Sequence, residues 1–309
     1  MEAMKKFDVL VPGELNPDLI LTDPDLEPRF GQAEVLVKNA ALTPGSSSVI
    51  FACGAARLGL NVAFVGVVGA DVFGHFMLDA LESRGVDISH VIVDKDKKTG
   101  ITVILNRVND RAMITHLGTI NALRESQVPD LLLSQSSHLH LASYFLQTNL
   151  QPEVPKLFQR ARSMGLSTSM DTNWDPEERW NGVHDLFPLI NVFLPNEGEA
   201  LALSGEKSVV AAADNLASKI EVTAIKLGEK GGFGITCNRQ IQLPALSVDV
   251  VDTVGAGDTF DAGFIYGYLQ GWSLEKSLRL GIVCGSLSTQ KSGGLDGQPT
   301  IAEAVRWLS

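Results

Sequence analysis

The chain has 309 residues with 45% hydrophobic side chains, enough to bury a large core and close to the upper end of what one core supports. Its 36 acidic residues outnumber 25 basic ones, and the formal charge of -11 comes with no basic stripe, which excludes the electrostatic footprint of a nucleic-acid binder. The opening MEAMKKFDVLVPG holds only a short apolar run before a turn, so we expect no signal peptide, no spanning helix, no membrane partner and a cytoplasmic location.

Along the chain, FDVLVPG, NVAFVGVVG, HLHLAS, LSTSMD, NVFLPN and EVTAIKLG read as buried strands, rich in Val, Ile and Phe and bounded by Gly, Asn or Pro. Helical spacing of apolar residues covers 72–84, 152–164 and 211–220 between them. Strands alternating with helices predict a mostly parallel central sheet covered on both faces, a three-layer α/β/α arrangement. Two stretches break the rhythm, 14–44 and 88–118. There HVIVD, GITVILNR and AMITHLG follow one another without a helix, and they predict a small β-sheet lid inserted in a single domain spanning 1–309. The alternative is that they extend the main sheet. After residue 247 the pattern turns helical, over 256–270, 274–289 and 301–308. Cys53, Cys237 and Cys284 are few, distant and form no C-x-x-C pair, so we expect reduced core thiols.

The segment VVDTVGAGDTFDAGFIYGYLQG places a glycine-rich turn at the mouth of an apolar helix. The first amides of a helix lack internal partners and its dipole adds positive charge, so Gly255, Ala256, Gly257 and Asp258 can present N–H groups to an anion. Asp258, at the same helix start, can accept a proton from an incoming hydroxyl, which makes it the candidate base for phosphoryl transfer. Other readings of the glycines exist. A dinucleotide fingerprint needs a third glycine where Phe260 stands, a Walker A loop needs a Gly-Lys-Ser/Thr that the chain lacks, and a plain helix cap explains one glycine but not two.

DTVGAGDTFDAGF resembles the C-terminal signature of the ribokinase-like sugar kinases, the PfkB family. Four further stretches fall in the family's order: GELNPDLI, GSSSVIFACGAARLGLNVAFVGVVGADVFG, the pair DTNWDPEERW and LPNEGEALAL, and KLGEKGGFGI. The resemblance implies the ribokinase-like fold and an ATP- and Mg²⁺-dependent kinase. It assigns Asp258 as base, the turn Gly255 to Gly257 as anion hole, and Asp18 with Gly45, Ser46 and Ser47 as substrate contacts. To the nucleotide it gives Asn196, Lys226, Gly228, Gly231, Gly255 and Gly257. Glu199 would reach Mg²⁺ through water, and Asp252 with Thr253 would border a monovalent cation such as K⁺, although Val254 stands where a second threonine is common. A second departure is Ile50, in the place of an asparagine that contacts sugar hydroxyls. Either the acceptor is less hydroxylated on that side or Ser46, Ser47 and Ser48 replace the contact. The serine run also reads as a helix cap.

Some residues keep two readings. Asp171 and Asn173 end an apparent strand, where open α/β sheets place ligand groups, but both also favour turns. His138 and His140 face one side of a strand, and with no third ligand at metal spacing they read as packing residues. Arg107 and Arg111 flank VND in the lid and suit either a substrate anion or a solvated turn. The apolar lid strands predict a homodimer formed through the lids. The expected activity is transfer of a phosphoryl group from ATP to a primary hydroxyl of a sugar-like molecule. A nucleoside kinase using an apolar slot of Phe30, Ile50 and Phe51 beside Asp18, and a sensor without turnover, are the alternatives.

Overall fold

The computed structural model describes residues 5–107 and 110–308; Val108 and Asn109, in the VND turn of the expected lid hairpin, lie outside the described residues. In chain order, β1 (Phe7–Pro12), β2 (Pro17–Thr22) and β3 (Asn39–Pro44) lead into α1 (Ser47–Arg57), β4 (Val62–Val65), β5 (Val67–Gly69) and α2 (Val72–Ser83). Then come β6 (Ile92–Asp94), β7 (Ile101–Arg107), β8 (Asp110–His116), α3 (Asp130–Ser134), β9 (Ser136–Leu141), α4 (Val154–Ser163) and β10 (Ser167–Met170). The chain continues through α5 (Val183–Leu186), β11 (Val192–Phe193), α6 (Glu197–Ser204), α7 (Val209–Ala217), β12 (Val222–Lys226), β13 (Gly232–Thr236) and β14 (Arg239–Leu243). It closes with α8 (Ala256–Leu269), α9 (Leu274–Ser288) and α10 (Ile301–Ala304).

Among the described residues the main sheet has eight strands in the order β14-β13-β12-β11-β10-β9-β1-β4. Pairing is parallel from β4 to β12, and β13 and β14 continue the edge as an antiparallel hairpin. The two faces of a strand alternate residue by residue. Leu10 of β1 therefore joins one core with α4 and α7, while its neighbours Val9 and Val11 join another with α1, α8 and α9. That alternation gives the three layers, and fully buried rings such as Phe51, Phe64 and Phe264 each contribute about 1.5–3 kcal/mol to the second core.

A separate four-stranded sheet, β3-β2-β7-β8, stands apart as expected. Two details differ from the sequence reading. The HVIVD piece is not part of it, because Ile92–Asp94 pairs with Val67–Gly69 beside the main body. Nor is the small sheet all antiparallel: β2 pairs with β7 in parallel, the connection between them being the whole β3 to β6 segment. Cys237 also departs from expectation. It sits exposed in the turn between β13 and β14, whereas Cys53 and Cys284 are buried thiols.

The hairpin edge depends on Gly231, which takes a left-handed φ of 95° and packs so closely on the Leu243 carbonyl that a side chain has no room. Gly231→Ala is expected to lower the melting temperature by several degrees in a thermal scan, since backbone strain and steric conflict then act together at about 1–3 kcal/mol.

Candidate active site

The site lies outside the carboxyl ends of the parallel strands, where open α/β sheets gather ligand groups. There β1 delivers Glu14, β9 delivers Ser143, β10 delivers Asp171 and Asn173, β11 delivers Asn196, and β12 ends on Lys226. Opposite them the first turn of α8 begins at Gly255, whose left-handed φ of 70° opens the turn. A side chain at Gly255 would meet Ile50 Cγ2 at 2.9 Å and Gly294 Cα at 3.0 Å, so the turn is packed from below and its shape is set. The amide of Ala256 turns back to the Thr253 carbonyl at 3.3 Å; Gly257 and Asp258 follow in the first turn, where amides have no partner within the helix.

Asp258 is 8% exposed. Its carboxylate accepts from Ser47, and Ser47 Oγ accepts from Asn173 Nδ2 at 3.0 Å. Burial first, and the Asp171 charge second, push Asp258 up to about 7 against the pull of Lys226. Three residues on and on the same helix face stands Asp261, and one carboxyl oxygen from each of Asp171, Asp258 and Asp261 lies within 4.8 Å of the other two. Lys226 Nζ donates to Asp171 Oδ2 at 2.6 Å and to Asp261 at 3.1 and 3.2 Å. Burial opposes its charge, but the two carboxylates outweigh burial and hold the ammonium above its usual range. The sequence reading gave Lys226 to the nucleotide and did not single out Asp261; in the structure this lysine is first a buried counter-ion. Its ammonium remains 3.8 Å from where a Gly257 side chain would begin, beside the α8 turn.

On the acceptor side, Glu14 is a second residue missed from sequence. It is 2% exposed and receives Ser46 Oγ at 2.8 Å and Ser48 Oγ at 2.6 Å, which fixes the serine run. Ser46 adopts a left-handed φ of 73°, the conformation that a glycine would supply at this position, and it also caps α1 by accepting from Val49 N at 3.1 Å. Gly45 leaves no room for a side chain because the Asp18 carboxyl lies directly over it. Burial raises Asp18 to about 7, opposed by the Arg111 charge across the small sheet, while Arg107 pairs with Asp110 at 3.2 Å near the rim. The apolar slot that the nucleoside-kinase alternative calls for beside Asp18 is not built by Phe30, Ile50 and Phe51 together. Ile50 seats under Gly255 and Gly294, Phe51 is buried against the His140 ring at 3.6 Å between centroids, and Phe30 is 99% exposed. Ile50 therefore faces the core beneath the α8 turn. His138 and His140 are packing residues, bonded through Ser169 Oγ at 2.7 and 2.8 Å, and burial pushes His138 down to about 3.

Beside the start of α8 lies a cleft of about 690 Å³, lined by Lys226, Gly228, Gly231, Thr253, Gly257 and Ser286 among others, so Lys226 reaches the cleft as well as the acids. Asn196 and Glu199 stand nearby and cap α6 reciprocally: Asn196 Oδ1 accepts from Glu199 N at 2.9 Å, and Glu199 Oε2 accepts from Asn196 N at 2.8 Å. Burial, then the Asp171 charge, raises Glu199 to about 7. Asp252 ties two loops together, accepting from Val254 N at 3.0 Å and Gly293 N at 2.9 Å. An apolar cleft lined by the first turn of a helix suits a nucleotide with its phosphates. In the three-aspartate cluster the Lys226 ammonium already pairs with Asp171 and Asp261, and Glu199 stands beside them as a further hard oxygen group for a divalent ion.

Comparison with known proteins decides the family. Residues 6–301 match the pfkB family of carbohydrate kinases. The chain belongs to this family. It is a phosphotransferase acting on hydroxyl groups, as its named relatives are. A 2-dehydro-3-deoxygluconokinase of Bacillus subtilis is 31% identical over 293 residues, covering 90% of each chain. Among solved structures, a ribokinase II type protein of E. coli in complex with ATP and Mg²⁺ superposes with a TM-score of 0.87 at 22% identity, covering 98% of this chain and 99% of that one. Adenosine kinase from Sinorhizobium meliloti superposes at 0.85 with 25% identity, covering 98% of this chain and 100% of that one. The ribokinase-like fold follows from these superpositions. No helix among the described residues is long and apolar enough to cross a membrane.

Proposed function

We propose that the chain transfers the γ-phosphoryl group of ATP to a primary hydroxyl of a sugar or sugar acid, with Asp258 as the base. The observation that carries this reading is one juxtaposition: a buried carboxyl group at the start of a helix whose first turn, at Ala256 and Gly257, lines the cleft. The cleft takes the nucleotide, with Gly228 and Gly231 along its wall. Gly255, Gly257 and Asp258 offer amides to the migrating phosphoryl group, and the small Ala256 lets it approach. Asp18, Gly45, Ser46 and Ser47 hold the acceptor, and Ser47, bonded to Asp258, sets the angle of the base. Mg²⁺ supplies charge neutralisation on the phosphates when bound, with Glu199 as its protein partner through water. A monovalent cation beside Asp252 would sit against the same turn. We read 1–309 as one domain, and 14–44 and 88–118 as its lid, bringing Asp18 over the acceptor and excluding water. A cytoplasmic setting matches the supply of ATP.

A direct test is ADP release from ATP and Mg²⁺ across ketoses, aldoses, sugar acids, sugar phosphates and nucleosides. Turnover of a sugar or sugar acid supports the reading; turnover of nucleosides alone replaces it with the nucleoside kinase; binding of ligands without any turnover replaces it with the sensor.

The lid also carries the assembly we propose. Register aligns Leu42, Leu19, Val103 and Ile114 in one row on the face opposite Asp18, and Leu42 and Ile114 are 39% and 60% exposed. A second copy offering the same row covers it symmetrically. Size-exclusion chromatography with light scattering should give twice the chain mass, and Ile114→Asp should return the chain mass. A wild-type monomer at tens of micromolar would remove the dimer from the proposal.

A further inference from the structure

Asp261 has no part in the reading above, yet it is 1% exposed and sits in the same cluster as the base. Three carboxyl groups stand within 4.8 Å of one another around a single ammonium. Like charges at that spacing in a dry site do not all ionise, so the cluster holds a proton. Asp171 and Asp261 each turn a carboxyl oxygen to the same ammonium and to within 4.8 Å of the other, so one positive charge serves two buried acids and one of them is the place for the proton. Hydrogen bonds decide which one. Asp171 accepts from Asn173 N at 3.0 Å as well as from Lys226 at 2.6 Å, so its charge is well served. Asp261, on an apolar helix, accepts among the described residues from Lys226 alone, at 3.1 and 3.2 Å.

We propose that Asp261 is a positioning residue that stays a neutral acid: its O–H donates to Asp171, its carbonyl oxygen accepts from Lys226, and Asp258 is left as the carboxyl group that gains and loses a proton. The role assigned to Asp258 rests on the kinase reading; the neutrality of Asp261 does not. Besides Lys226 of β12 and Asp171 after β10, the groups facing the cluster are Glu199 of α6, Glu14 after β1 and the neutral His140 of β9. The neutral acid locks the first turns of α8 to the strand ends without adding a charge that would raise Asp258 further.

The test is the melting temperature of wild type and Asp261→Asn from pH 5 to pH 8, with no acceptor needed. An acid that is neutral when folded and ionised when unfolded gives stability that is complete below the unfolded pKa and is lost as pH rises. Asparagine has the same shape and no such loss. The difference in melting temperature, variant minus wild type, should therefore grow by about 2 °C per pH unit. A difference that is constant with pH, or a variant that does not fold, overturns the proposal, because either means that the site requires an ionised Asp261. In kinetics, the acid limb of kcat in Asp261→Asn should coincide with wild type; a downward move of about one pH unit or more means that a charge was removed, and overturns it too. Full turnover by Asp258→Asn would instead sink the kinase reading and leave the melting result standing.

Discussion

Replacing Asp258 with asparagine should lower kcat by about 10²-fold or more while leaving the KM for ATP within a few-fold of wild type. Asparagine keeps the bond to Ser47 and the start of α8, so what it removes is the ability to take the acceptor's proton. In wild type that ability should depend on pH in a defined direction. With the folded carboxyl raised to about 7 by burial and the Asp171 charge, activity should rise through an acid limb centred near pH 7, and Asp258→Asn should lack it. Asp18 and Glu199, both also raised to about 7, steepen the same limb through binding, which appears in kcat/KM more than in kcat. Stability should move the other way. A carboxyl whose folded pKa exceeds its unfolded value contributes stability only below the unfolded value and loses it as pH rises through the folded one. At pH 8 the asparagine variant is therefore expected to melt above wild type, by roughly 1–3 kcal/mol in stability, a trade of stability for activity. Retained turnover, or a variant that melts lower at pH 8, would count against Asp258 as the buried base.

The fold was legible because its signals are periodic. Short Val- and Ile-rich runs alternating with amphipathic helices need no tertiary information to imply a covered parallel sheet, and GAGD before an apolar helix implies an anion turn. The hairpin of β13 and β14 was not legible. Gly232 and Gly234 occupy strand positions because Leu278 and Leu274 of α9 press within 3.0–3.1 Å of where their side chains would begin, and glycines chosen for close packing resemble a loop in the sequence. Ile92–Asp94 has the composition of a lid strand, and its partner, Val67–Gly69, is fixed by tertiary contacts alone. Within the site, Gly255 and Asp258 open α8 and Asp18 lies on β2 of the small sheet. Asp261 and Glu14 were passed over because a single acid in an apolar helix, or after a strand, carries no spacing signal. Their importance arises from what β12 and α1 bring against them. Ile50 misled for the same reason: its motif position suggested the acceptor, but the rotation of α1 turns it under Gly255.

Lys226→Met should be the most destabilising single change in the site. The methionine fills the stem's volume but leaves Asp171 and Asp261 buried at 2% and 1% exposure with no counter-ion. Removing one partner of a buried ion pair typically costs about 3–5 kcal/mol, a large share of a domain's stability of roughly 5–15 kcal/mol. Part of that loss is recoverable by protons. With the ammonium gone the charge left on Asp171 has no counter-ion, and the cluster takes up a further proton on folding, so the deficit should be largest at pH 8 and shrink toward pH 5. Melting curves of wild type and variant at the two pH values measure it. The same change strips Asp258 of the positive charge that restrains its pKa, so in whatever protein remains folded the acid limb of activity should move above pH 7. Equal melting temperatures at pH 8 would show that the ammonium is not what holds these acids in the core, and would reopen the cluster as a place for a metal ion.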